Sequence, residues 1–506
     1  MNPAIITSRA LLGLKAPEVT IEVHLANGLP RFGIVGLPET AVKESRERVR
    51  AAIITSGYKF PARRITVNLA PADLPKEGGR FDLGIAIGIL IASWQIPANA
   101  LDQAEFIGEL GLTGELRGVG GVLTAALAAK TQKHRLFVAE HDAAEALLVD
   151  GVEVIAANHL SAICDHFRDN PPLELHTGTS DIQTQSPSYP DMADVQGQGL
   201  ARRAVEVTAS GHHHLLMIGP PGTGKTMLAT RLPGILPPMT TNQALETAAI
   251  HAISYQGIDL QHWQARPFRA PHHTASGIAL IGGGARPRPG EISLAHNGVL
   301  FLDELTEFRK GVLDVMREPL ESGEVNVSRA AQQATFPAQF QLVAAMNPCP
   351  QGFDCDLGER CECTAEQRRR HRNRLSAPFL DRMDLCIEVP RPSGLNTSPD
   401  AKAEDSAAIR ARVSACQDRQ INRQQCLNAQ LLGHQLAEFA ALDAPAQALL
   451  EQAMQRFRLS TRSRHRIIRV ARTIADMQAS VNITMTHLSE ALSYRAMDRW
   501  RQSDML

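Results

Sequence analysis

Net charge is nearly absent from this sequence: 52 Lys and Arg against 53 Asp and Glu leave a formal charge of -1 over 506 residues. No global basic field draws the chain to nucleic acid, so any contact with phosphates must come from local arginine clusters. Long apolar runs are also missing. The longest, Leu83 to Trp94, falls short of the roughly 20 residues a bilayer-spanning helix needs and follows Arg80 and Asp82, which predicts a buried helix and no membrane association. Residues 1–30 lack a basic start, a long apolar middle and a small-residue cleavage site, so no export leader is expected. Eight cysteines without such a leader are expected to stay reduced in a cytoplasmic setting, where clustered thiols bind metal more often than they pair. No internal repeat is visible.

What is present is enough chain for several domains, since single cores rarely grow beyond about 250 residues. The clearest break lies near 168 to 198, where Asn170-Pro-Pro, Thr177-Gly-Thr-Ser and Ser186-Pro-Ser-Tyr-Pro leave little to bury. Before it, strand-like runs (Val19 to His24, Arg64 to Leu69, Leu136 to Ala139) alternate with helix-like ones (Glu39 to Ser56, Leu83 to Trp94, Leu123 to Lys130). The expected division is an α/β or α+β domain over 1–168, a linker over 169–198, a strand-turn-helix region over 199–398 and a helical tail over 399–506.

The apolar run Leu215 to Ile218 precedes Gly219-Pro220-Pro221-Gly222-Thr223-Gly224-Lys225-Thr226, and Met227 to Leu232 follows as a short helix expected to stop at Pro233. Strand, glycine loop and helix form the context of a phosphate-binding loop, in which backbone N-H groups wrap phosphates and the helix start adds a favourable partial charge. Lys225 is expected to neutralise β and γ oxygens of ATP, and the Thr226 hydroxyl to ligate Mg2+. Val299 to Leu302 ends in Asp303-Glu304, as a buried parallel strand does when it delivers acids to the C-terminal edge of its sheet. Asp303 suits the Mg2+ role and Glu304 the polarisation of the attacking water. A third strand, Gln341 to Met346, ends in Asn347-Pro348 and sets an amide where it can orient that water.

Together these motifs resemble the magnesium-chelatase-like branch of the AAA+ ATPases, and the full-length arrangement is similar to the ComM/YifB family. Three features carry the resemblance beyond a generic ATPase: Met192-Ala-Asp-Val-Gln-Gly-Gln198, Arg266-Pro-Phe-Arg-Ala-Pro-His-His-Thr274 and the N-terminal domain. The resemblance implies that backbone around Val195 and Gln196 holds adenine and that Asn347 is a sensor. It also makes Arg382, in Pro378-Phe-Leu-Asp381-Arg382-Met-Asp384, an arginine finger supplied to a neighbouring subunit, and places the second sensor at Arg462 or, one turn later, Arg466. It further implies a homohexameric ring that moves on single-stranded or branched DNA and drives branch migration as incoming DNA recombines.

Residues 70–88 resemble the segment around the nucleophile of Lon-type proteases, and Gly108-Glu-Leu to Gly120-Gly121 their later lysine segment. This implies an N-terminal domain of the Lon-protease-like, ribosomal S5 domain 2-like fold, ahead of an AAA+ core and a helical lid. Arg80 or Asp82 stands where the serine would be and Leu123 about where the lysine would be, so no hydroxyl and amine dyad is expected. Ser45 and Ser56 lie on helix-like stretches with no evident base.

Several features leave alternatives open. Ser276 to Gly284 suits a mobile apolar hairpin tip, and a second hairpin, Glu324-Val-Asn-Val-Ser-Arg329 to Thr335-Phe-Pro, would carry Arg329. Either could meet DNA or be a solvated loop. The basic run Arg368 to Arg374 could contact phosphates of DNA or pack at a ring interface. Cys349, Cys355, Cys361 and Cys363 supply ligands for one Zn2+, or are reduced thiols; their spacing departs from paired Cys-x-x-Cys knuckles. The histidines at 212–214 and 272–273 read as strand-edge and loop residues. The rival functions are a chelatase-type motor that remodels a protein partner for metal insertion and, lacking its dyad, an ATP-dependent protease.

Overall fold

The computed structural model describes residues 3–36, 40–98, 101, 103–168, 172–177, 185, 187–284, 287–328, 333–353, 361–391, 404–457 and 459–495. It divides into two compact units, Met1–Gln185 with Thr241–Trp263, and Ser186–Thr240 with Gln264–Leu506. Residues 241–263, placed by the sequence inside the ATPase region, therefore fold with the first unit, where helix Thr241–Ala252 packs on helix Val122–Gln132.

The first unit is built on a mixed eight-stranded sheet. From one edge to the other its strands are Leu175–Thr177, Glu153–Ala157, Arg135–Ala139, Ala104–Phe106, Ala4–Arg9, Glu18–Ala26, Arg64–Ala70 and Arg31–Val35. Strand Arg64–Ala70 buries alternate residues, Ile65, Val67 and Leu69, which is the period-two signature of a sheet with one covered face. The cover is helix Asp82–Ala92, buried from Asp82 through Ile91, so the apolar run is a core helix. Gly84 and Gly88 let it lie close to the strands, since a Cβ at either would come within 2.6 Å of Ile21 or Val23. Phe106, Phe137 and Phe167 cluster in the same core, the first two stacked with centroids 4.7 Å apart. Among the described residues no helix is long and apolar enough to cross a membrane.

The second unit holds a five-stranded parallel sheet in the order Phe268–Arg269, Val299–Leu302, Gln341–Met346, Leu215–Ile218, Leu385–Glu388. All residues of the three middle strands are buried, as expected when both faces of a parallel sheet are covered. Helix Gly199–Gly211 packs against Ser406–Gln424 and Thr461–Met477, joining the C-terminal helices to the core of this unit. Thr461–Met477 buries Ile467, Val470, Ala471 and Ile474, and its N-cap Ser460 accepts from the Ser463 amide.

Two local expectations fail for identifiable reasons. The helix after the glycine loop runs Lys225–Ile235 with Pro233 inside it, because the proline removes only its own amide bond and leaves the two residues after it helical. Residues 277–281 form a short helix capped by Ser276, not a hairpin tip; only the glycines after it pair, Gly282–Gly283 with Arg288–Pro289. Leu280 of that helix is buried while Ile278 stays exposed. Strands Glu324–Ser328 and Gln333–Pro337 do form an antiparallel hairpin, and Arg329 lies outside the described residues.

Candidate active site

Parallel register brings three strand ends together. Ile218 lies beside Met346, and Leu302 beside Ala344, so the residues that follow, Gly219, Asp303 and Asn347, emerge along one edge of the sheet. The loop from Gly219 turns back through Gly222 and Gly224, whose φ angles of 77° and 89° lie in the left-handed region that only glycine enters without strain. Thr223 Oγ1 donates to the Pro220 carbonyl at 3.0 Å and closes the turn.

Lys225 is the first residue of the following helix. Its ammonium donates to the carbonyls of Gly219 (2.6 Å) and Pro220 (2.8 Å) and reaches Asn347 Oδ1 at 3.5 Å. Burial lowers its pKa from the ordinary lysine value, against the opposing pull of Asp303. The next residue, Thr226, donates its hydroxyl to Asp303 Oδ2 at 2.8 Å. A hydroxyl and a carboxylate in direct contact at the start of a helix, next to an ammonium, fit a divalent cation bound with a polyphosphate.

Glu304 adopts φ 50° and ψ 46°, a left-handed conformation uncommon outside glycine, while its amide donates to Asp303 Oδ1 at 2.9 Å. Its Oε2 lies 3.1 Å from His273 Nδ1. His273 is the site residue that sequence reading missed. It follows strand Phe268–Arg269, which pairs beside Val299–Leu302, so strand adjacency is the signal that could have found it. Arg266 and Arg269 of the same motif serve structure: Arg266 bonds the carbonyls of Pro237 and Asn297, and Arg269 grips both oxygens of Glu291. Burial lowers the Arg266 guanidinium to about 10.

Val195 is buried and Gln196 exposed in the segment named for adenine. That segment adjoins the glycine loop, since Gln198 donates to the carbonyls of Thr223 (3.3 Å) and Pro390 (2.8 Å).

Arg382 and Arg462 are brought together, and away from the glycine loop. Both guanidiniums bind Glu321, Arg462 at 3.0 Å. The cleft around them, of about 600 Å³, is lined by His214, Phe340 and Asp384, which precede strands Leu215–Ile218, Gln341–Met346 and Leu385–Glu388. These are the strand starts, whereas the glycine loop, Asp303 and Asn347 follow strand ends, roughly 13–20 Å away at ~3.3 Å per residue. Arg466 sits deeper in the same cleft and donates to the Met383 carbonyl at 3.2 Å.

Within the basic run, His371 and Arg372 are buried; His371 Nε2 lies 3.1 Å from the Asn347 carbonyl, and Arg374 binds Thr306 O and Glu307. Arg369 and Arg370 remain exposed. Cys349, Cys361 and Cys363 gather their sulfurs within 4.8 Å of one another, and Cys355 lies outside the described residues.

In the first unit, Arg80 is buried with its guanidinium lowered to about 10 by that burial, and Asp82 is bound by Arg48 at 2.7 Å. Leu123 is buried and offers only its amide, which donates to Glu145. Among the described residues no lysine amine hydrogen-bonds Ser45 or Ser56.

Residues 191–396 match the family described as magnesium chelatase, subunit ChlI; residues 21–142 match subunit ChlI of Mg-chelatase, and 403–495 its C-terminal family. The uncharacterized protein YifB of Escherichia coli is 50% identical over 500 residues, 99% of this chain and 98% of its own. Competence protein ComM of Haemophilus influenzae is 50% identical over 506 residues, 99% of each chain. The magnesium-chelatase 38 kDa subunit of Acidiphilium rubrum is 26% identical over 216 residues, 42% of this chain and 55% of its own. Half-identity along whole chains, with the glycine loop, the two carboxylates and the parallel sheet in place, means that the chain belongs to the ComM/YifB family of magnesium-chelatase-like AAA+ proteins, a family membership that suggests ATPase activity.

Proposed function

We propose that the chain is a cytoplasmic, ring-shaped, ATP-driven DNA translocase that promotes branch migration during recombination of incoming DNA. The observation that carries the motor is the Thr226 to Asp303 hydrogen bond, with Lys225, Glu304 and Asn347 around the same sheet edge. The DNA is supported by full-length similarity to a protein named for competence.

In this reading the amides of residues 222–226 wrap the phosphates of ATP, and Lys225 exchanges its carbonyl partners for phosphate oxygens. Thr226 and Asp303 would hold Mg2+, which would supply charge neutralisation to the phosphates. Asn347 positions the attacking water and Glu304 takes its proton as the bond from water oxygen to γ-phosphorus forms and the bridge to ADP breaks. Backbone near Val195 and Gln196 holds adenine. Arg382, with Arg462 or Arg466 as second sensor, serves the site of a neighbouring copy, because its own phosphate loop lies at the opposite end of the strands. A homohexamer is the assembly we infer.

The N-terminal domain is read as Lon-like without peptidase activity, since buried Arg80, Asp82 and Leu123 stand at the dyad positions. The family matches to magnesium chelatase subunits favour a second reading, a motor that remodels a protein partner for metal insertion. A four-way junction with labelled arms separates the two: ATP-dependent strand exchange is expected, and a junction left unmoved by active ATPase would favour the second.

We also read the three gathered thiols as a Zn2+ site. Cys349 and Cys361 sulfurs lie 3.6 Å apart, close to the ~3.8 Å that two Zn–S bonds of about 2.3 Å span at a tetrahedral angle. Burial and neighbouring thiols push Cys363 up to about 11, a cost a bound cation would reverse. Metal analysis should find about one zinc per chain, lost in Cys361→Ser. Zinc-free protein purified without chelator would contradict the site.

A further inference from the structure

The first unit carries a cleft that the ATPase does not use. Its volume is about 770 Å³, inside the ~300–1,000 Å³ range of ligand clefts. The walls come from the end of helix Thr40–Thr55, the loop after it and the start of strand Arg31–Val35. That strand is the edge of the eight-stranded sheet.

Charge and ring chemistry coincide here. Arg31, Arg46, Arg50, Lys59 and Arg63 line the cleft against a single carboxylate, Glu47. All five basic residues are exposed, in a chain whose overall charge is -1. Between them stand Phe32, Tyr58 and Phe60, each partly exposed. Phe32 and Phe60 are 5.9 Å apart between centroids, and the Arg50 guanidinium lies 5.6 Å from the Phe60 ring. The ring-bearing loop is held in place: Gln95 accepts from the Lys59 amide at 2.9 Å and donates to the Lys59 carbonyl at 2.8 Å. Arg168 caps Tyr58 from 5.1 Å.

We propose that this cleft binds single-stranded DNA, with bases stacked on Phe60 and Tyr58 and phosphates tracked by Arg31, Arg50, Lys59 and Arg63. Cations interleaved with aromatic faces are the chemistry of single-strand platforms, which take any base because every base has a π face. An acidic peptide would use the charges but leave the rings unoccupied. The site stands on its own chemistry and rests on the proposed function only for the choice of DNA over RNA. With it, the N-terminal domain holds a displaced strand while the motor acts.

The test uses the full-length protein and an iodouracil-substituted single-stranded oligodeoxythymidylate, photocrosslinked and mapped by peptide mass. Crosslinks should fall within residues 31–63. Phe60→Ala should weaken binding roughly 5- to 150-fold. The double variant Arg50→Gln, Arg63→Gln should flatten the salt dependence of log affinity by about 1.4, at ~0.7 per lost phosphate contact. ATP hydrolysis without DNA should be unchanged in both, which shows that they fold. Wild-type binding with crosslinks elsewhere and unaltered variants would overturn the cleft and leave the translocase standing. Wild-type protein that binds no DNA would overturn the translocase reading itself, and preference for an RNA oligonucleotide would overturn the assignment to DNA.

Discussion

Replacing Glu304 by Gln is expected to lower ATP turnover by ~10²–10⁴-fold, the usual contribution of a positioned general base. The substitution keeps size and hydrogen-bonding capacity, and the left-handed backbone that aims the side chain stays in place, its amide still bonded to Asp303. Nucleotide binding should therefore survive and turnover fail, so the variant traps ATP. Glu304 Oε2 also lies 3.1 Å from His273 Nδ1. Equilibrium binding of labelled ATP beside steady-state phosphate release separates the two effects. Normal release by Glu304→Gln would remove this residue from the mechanism.

Lys225→Ala should act earlier. The Lys225 ammonium is the cation held at the loop by the carbonyls of Gly219 and Pro220, and its removal strips the positive charge from the phosphate cradle. Loss of one such preorganised donor costs ~10²–10³ in turnover, and a ground-state role adds a loss of affinity. Weak binding together with negligible hydrolysis is the expected result, read by titration of a fluorescent ATP analogue and by phosphate release. Retained tight binding would assign the phosphates to another site. Mixing Lys225→Ala with Arg382→Ala subunits should partly restore hydrolysis, because Arg382 and the loop lie at opposite ends of their own sheet and mixed interfaces of one order pair the intact loop of an Arg382→Ala subunit with the intact arginine of a Lys225→Ala subunit.

The placement of the site was legible because parallel strands covered on both faces read as continuous apolar runs. Leu215 to Ile218 runs into the glycine loop, while Val299 to Leu302 and Gln341 to Met346 end in Asp303 and Asn347, and sheet register brings the three ends together. His273 was not legible, since the strand before it has only two residues, Phe268 and Arg269, too few to show any period. The meeting of Arg382 and Arg462 on Glu321 joins positions far apart in sequence, which local patterning does not report. The short helix Gly277–Ile281 was hidden by the glycines after it, which signal a turn whichever structure precedes them. Helix Thr241–Ala252 was absorbed into the strand-turn-helix region expected over 199–398. Its packing in the first unit depends on a surface more than a hundred residues away, supplied by Val122–Gln132.

The most direct test of the account is the rate of ATP hydrolysis by wild-type protein with and without single-stranded and branched DNA, at one fixed salt concentration. The account predicts a magnesium-dependent basal rate that rises with DNA and vanishes in Glu304→Gln. A basal rate indifferent to every DNA form, or one that survives the loss of Glu304, would contradict it.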